Sequence, residues 1–132
     1  MLNRRPRAGW LIGSWLLLAW GCSSKMDVFT IRRPDSVPRP AKPMGCALQV
    51  HPPEYRFPSG CREVGDVFVG DNGWSVDCGR DRVYRLVRDE ACVFGADAAQ
   101  IINYYGPDFG GSWCHEVRAR FMECEEQEAA TR

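Results

Sequence analysis

The apolar positions of the chain follow two periods. From Cys46 to His51 apolar and polar residues alternate, so Cys46, Leu48 and Val50 share one face of a short strand that Pro52-Pro53 ends. A second strand is expected from Glu63 to Val69, with Val67 and Val69 on one face. Asp71-Asn72-Gly73 then turns the chain, because Asn and Gly tolerate positive φ. Between Arg80 and Phe94 the period becomes helical: at 100° per residue, Val83, Val87, Ala91 and Phe94 form a stripe with Leu86 beside it, while Arg85, Arg88, Asp89 and Cys92 lie opposite. Asp77 and Asp81 suit the start of that helix, and Gly95 stands where a glycine ends one.

Ala98 to Tyr105 is a third strand, rich in β-formers, broken by the loop Gly106-Pro107-Asp108-Phe109-Gly110-Gly111. The last strand, Cys114 to Cys124, places Val117, Ala119 and Phe121 on one side and Cys114, Glu116, Arg118, Arg120 and Cys124 on the other. The order β-β-α-β-β predicts a small α+β domain over 45–124: an antiparallel sheet with one helix packed on one face. Residues 125–132 are expected to be a disordered acidic tail.

The segment before the domain has a different texture. Pro34, Pro38, Pro40 and Pro43, with Arg32, Arg33, Arg39 and Lys42, predict an unpacked tether over 22–44, whose basic residues could alternatively touch anionic lipid or another envelope polymer. The first 21 residues carry the three parts of an export signal: a basic run with Arg4, Arg5 and Arg7, an apolar stretch from Trp10 to Trp20 too short to span a bilayer comfortably, and Gly21 ahead of Cys22. Leu18-Ala19-Trp20-Gly21-Cys22 resembles a lipobox, with a bulky Trp20 as the departure; Ala19 and Gly21 also fit an ordinary secretory cut. Parity favours the lipobox. Seven cysteines leave one odd, and lipid on Cys22 leaves six: Cys46, Cys61, Cys78, Cys92, Cys114 and Cys124.

Composition then narrows the function. Removing Arg4, Arg5 and Arg7 leaves 14 basic against 17 acidic residues, a mature charge near −3 that argues against a nucleic-acid partner. No Cys-x-x-Cys or His-x-x-x-His pair occurs, and Cys114 and His115, as strand neighbours, point to opposite faces, so disulfides are expected rather than a metal. A domain of about 80 residues has a core worth only a few kcal/mol, and each bridge adds roughly 2 to 4 kcal/mol. Six cysteines allow fifteen connectivities, and spacing does not choose among them. Cys92 lies off the apolar stripe, so its partner is expected from a loop or edge and not from beneath the helix.

Several of these motifs belong together elsewhere. Gly65-Asp66-Val67, Cys78, the helix end Glu90-Ala91-Cys92-Val93-Phe94-Gly95-Ala96-Asp97-Ala98, and closing cysteines at Cys114 and Cys124 resemble the small proteobacterial envelope lipoproteins, typified by the outer-membrane stress sensor of the Rcs phosphorelay. The resemblance covers about the last 65 residues. It implies a lipidated, proline-linked α+β domain without enzymatic activity that works by contact with other envelope proteins, and it implies a bridge between Cys78 and Cys114. Cys46, Cys61 and Cys92 have no counterparts in that pattern, and one cysteine of the pattern before the last strand is missing here.

The expected function is therefore a palmitate-bearing lipoprotein of the cell envelope, at the outer membrane, acting as an interaction or sensing module. Its partners are the membrane, through its anchor, and envelope proteins; no cofactor or metal is implied. A purely structural envelope protein, or a soluble secreted domain without lipid, is the alternative. Candidate contact residues are Tyr104, Tyr105, Phe109 and Trp113, because aromatics dominate binding hot spots. The competing reading packs Tyr104 or Tyr105, and Trp113, into the core or against the disulfides, since a small domain needs its large side chains to build a core. For an enzyme, Asp66, Asp71, Asp77 and Asp81 could pair as carboxylates and Ser75 could act as a nucleophile, yet no motif fixes their geometry.

Overall fold

The structure is a computed structural model that describes residues 25–73, 75–107 and 112–125. Its elements are β1 (Asp27–Arg32), β2 (Gln49–His51), β3 (Cys61–Gly70), α1 (Arg80–Phe94), β4 (Ala98–Tyr105) and β5 (Glu116–Cys124). The strands form one sheet in the order β1-β3-β5-β4-β2. Three pairings are antiparallel, but β2 runs parallel to β4, so the sheet is mixed and not wholly antiparallel. With β1 in place the order is β-β-β-α-β-β, one strand more than the periodicity predicts. β2 is also shorter than expected, because Cys46 and Leu48 lie in the loop that leads into it.

Helix α1 covers one face of the sheet. Val83, Val87 and Ala91 are fully buried on the predicted stripe, against Val67 and Val69 of β3, Ile101 of β4 and Val117, Ala119 and Phe121 of β5. A fully buried Val or Phe side chain contributes roughly 1.5–3 kcal/mol, so this layer holds most of the apolar stabilisation. Helix α1 ends as its sequence predicts. Gly95 takes φ 85°, its N–H reaches the Cys92 carbonyl at 3.0 Å, and the Ala96 N–H reaches that of Ala91 at 3.0 Å. A second glycine meets a packing demand. The register of β3 against β5 shifts between Glu63 and Gly65, and a Cβ at Gly65 would stand 2.5 Å from the Phe94 ring. Phe94 occupies that space, 4.9 Å from Phe121, with the Arg32 guanidinium 3.7 Å above it.

Residues 27–44 are not an unpacked tether. Asp27–Arg32 pairs along its whole length with β3, from Gly70 to Gly65. Past Arg33 the chain straps the C-terminal end of α1: the Lys42 N–H donates to the Cys92 carbonyl (2.8 Å), the Lys42 ammonium to the Ala96 carbonyl (2.7 Å), and the Gly45 N–H to the Asp89 carboxylate (3.0 Å). The prolines stiffen this strap without forfeiting ladder bonds, since they fall after β1 has ended.

Candidate functional site

Three disulfides divide the described domain into regions. Cys61 and Cys124 face each other across the β3–β5 ladder, Cα atoms 3.9 Å apart. Cys46 reaches Cys92 from the loop before β2 (6.0 Å) and pins the strap to α1. Cys78 joins Cys114 (5.0 Å), the pair singled out by the resemblance, and ties the segment before α1 to the segment before β5. Cys92 is fully buried although it lies off the apolar stripe, because the strap covers that flank. Cys114 precedes β5 and points into the core, not to the opposite face of a strand as alternation suggests.

The sheet has two unlike ends. At one, β1 begins opposite Gly70 and β4 ends opposite the start of β5, Tyr105 against Glu116. The Asp71-Asn72-Gly73 turn organises this end. The Asp71 carboxylate accepts from the Gly73 N–H (2.9 Å) and the Ser112 hydroxyl (2.9 Å), while the Asn72 amide donates to the Lys25 carbonyl. Partial desolvation pushes the Asp71 pKa up, but the donors Ser112, Gly73 and Ser75 outweigh it and hold the carboxyl below the ordinary value. Ser112 also receives the Cys114 N–H (3.0 Å), and the His115 N–H bonds to the Cys78 carbonyl (3.1 Å). Lys25, the turn, the segment before α1 and the segment before β5 thus form one bonded cluster.

Large side chains emerge from that cluster. Trp113 is 75% exposed, Val76 83% and Tyr105 55%; none belongs to the core. Tyr104 is only partly exposed, bonded through its hydroxyl to His115 Nδ1 and set edge-on to Tyr84 of α1, with the Arg80 guanidinium near both rings. The core reading therefore fails for Tyr104, Tyr105 and Trp113, of which Tyr104 is the most covered. Phe109 and Cys22 lie outside the described residues.

The opposite end holds a groove of about 330 Å³ lined by His51, Tyr55, Phe57, Ala98 and the Cys61–Cys124 bridge, among others. His51 stacks on Tyr55 at 3.8 Å, and Phe57 stands edge-on to both. The loop carrying these rings is fastened by Gln100, a buried polar side chain whose amide serves the carbonyls of Pro52, Pro53 and Tyr55 at 3.2, 3.0 and 2.7 Å. A second hollow, of about 490 Å³, lies on the outer surface of α1 between Arg80, Tyr84, Arg85 and Arg88.

The carboxylates considered for acid–base work are each engaged elsewhere or apart. Asp66 lies on β3 near Arg33 (4.0 Å), Asp77 near Arg82 (3.8 Å), and Asp81 in the first turn of α1. Ser75 donates to Asn72, and the two histidines sit at opposite ends of the sheet. Among the described residues no three metal-ligating side chains converge, and no helix is long and apolar enough to cross a membrane. Comparison with family models, with curated proteins and with solved structures returns no match.

Neither β1 nor the His51–Tyr55–Phe57 cluster follows from the apolar periods of the chain. Asp27-Val28-Phe29-Thr30-Ile31-Arg32 is free of Gly and Pro and rich in β-formers, which was the available signal for β1. The His51–Tyr55–Phe57 cluster had none, because the ring contacts depend on how the 52–60 loop folds back over Gln100.

Proposed function

We propose that the chain is an exported lipoprotein of the bacterial envelope, anchored through Cys22, whose domain acts as a non-enzymatic contact or sensing module. One observation carries the reading: all six cysteines downstream of the leader pair with one another, which leaves Cys22 as the odd thiol of seven, at the position where a lipobox-like Leu18-Ala19-Trp20-Gly21 precedes it. Three bridges suit an oxidising compartment, where a domain this small needs them. Exposed aromatic side chains at one end of the sheet, held by a disulfide and a hydrogen-bonded turn, suit contact rather than catalysis.

Metabolic labelling with a palmitate analogue tests the anchor. The unsubstituted protein should take up label and the Cys22→Ala variant should not; label persisting in that variant, or absent from both, contradicts the assignment. Crosslinking in intact cells tests the contact role, which fails if no envelope protein is recovered above background.

A further inference from the structure

We infer that the end of the domain at which β1 begins docks directly on the lipid bilayer, through Trp113, Val76 and Tyr105. The inference rests on the proposed anchoring at Cys22 and adds an orientation to it. Because β1 belongs to the sheet, no long spacer intervenes: Lys25 is bonded to Asn72 of the turn, and Cys22 is three residues upstream. Three residues reach at most about 10 Å when fully extended. The headgroup layer is itself roughly 5–7 Å thick on each side of the hydrocarbon. A lipid on Cys22 therefore holds this end, and not the groove at the other, within headgroup reach.

The side chains there match that environment. Trp and Tyr favour the membrane–water interface, where an apolar ring and a polar edge are both accommodated. Among the described residues, Trp113 and Tyr105 are exposed aromatics of this end, and Val76 is more exposed still. The segments that carry Val76 and Trp113 are joined by the Cys78–Cys114 bridge, so little ordering remains to be lost on docking. Charges at this end are mixed, with Lys25 and Arg80 beside Asp27, Asp77 and Asp81, so the attraction is interfacial and not Coulombic. Docking should persist in high salt.

Tryptophan fluorescence tests the orientation. Cleavage before Cys22 would remove Trp10, Trp15 and Trp20, so the Trp74→Phe protein would carry Trp113 alone. Purified from membranes and reconstituted on phosphatidylethanolamine–phosphatidylglycerol vesicles, it should lose at least about twofold in emission when the lipids are brominated near the glycerol end of the acyl chain. A tryptophan placed instead at the far end, as Tyr55→Trp in a background of Trp74→Phe and Trp113→Phe, should be unaffected, since Gln100 and Tyr105 are five residue steps apart along β4, about 16 Å. Mass spectrometry of the same sample reads Cys22. Lipid on Cys22 with Trp113 unquenched overturns docking and leaves the anchor standing; equal quenching at both ends overturns the orientation; an unlipidated Cys22 overturns the anchor and the docking with it. Hydrogen exchange on the unsubstituted lipoprotein gives a second reading that needs no variant: vesicle binding should protect 71–78 and 112–115, and unchanged exchange there contradicts docking.

Discussion

At the scale of single residues, Asp97 ties stability to pH. It stands just past α1 and gathers three donors: Arg39 at 2.7 Å, Lys42 at 2.9 Å and the Cys124 N–H at 3.0 Å. Burial pushes its pKa up, but the Lys42 ammonium, the Cys124 N–H and the Arg39 guanidinium outweigh that and hold the carboxyl below its ordinary value. Unfolded Asp titrates near about 3.9. Since the folded value is the lower one, the stabilisation is present above about pH 4 and is lost as pH falls through the folded pKa. The charges are partly exposed, so the effect is about 1 kcal/mol. Asp97→Asn should therefore lower stability at neutral pH by about that amount and flatten its fall below about pH 4. Urea unfolding at the two pH values measures this, and an acid limb as steep as that of the unsubstituted protein contradicts it.

At the scale of elements, the strap decides how far the domain extends. Its hydrogen bonds to α1 and the Cys46–Cys92 bridge turn a proline-rich segment into part of the fold. Replacing both cysteines, Cys46→Ser with Cys92→Ser, should cost about 2–4 kcal/mol. It should raise hydrogen exchange chiefly over 33–46, while β3 and β5 stay protected by their mutual ladder. A uniform rise across the sheet contradicts a local role for the strap.

The legibility of these elements in the sequence follows from where each gets its stabilisation. Helix α1 and the inward residues of β3, β4 and β5 could be read because one face of each is buried, so period and burial coincide. β1 has the opposite arrangement. Its large apolar residues, Phe29 and Ile31, are exposed, while Val28 and Arg32 are the partly buried ones, with Arg32 reaching over Phe94. Neighbouring prolines further suggested a spacer. The parallel course of β2 had no local signal, since pairing direction depends on the crossover through β3 and α1 that brings the chain back to β4. Exposure at the loop end was half legible: aromatics could be named from composition, but whether Trp113 entered the core depended on Cys114 turning inward beside it.

At the scale of the whole molecule, the disulfides link the first cysteine of the domain to the fourth, the second to the sixth and the third to the fifth. The separations of 46, 63 and 36 residues would each be worth roughly 4 kcal/mol in the chain-entropy limit, and less together because the loops overlap. That is comparable to the whole net stability of an ordinary domain. The same connectivity fastens the strap to α1, β3 to β5, and the segment before α1 to the segment before β5, while the chain's entry point is held at this end by the pairing of β1 with β3 and by the Asn72–Lys25 hydrogen bond.

The most direct test is a disulfide map of the protein isolated from membranes under non-reducing conditions. The expected map is Cys46–Cys92, Cys61–Cys124 and Cys78–Cys114, with Cys22 in no bridge and bearing lipid. Any other pairing, or two or more free thiols among the six, would contradict it.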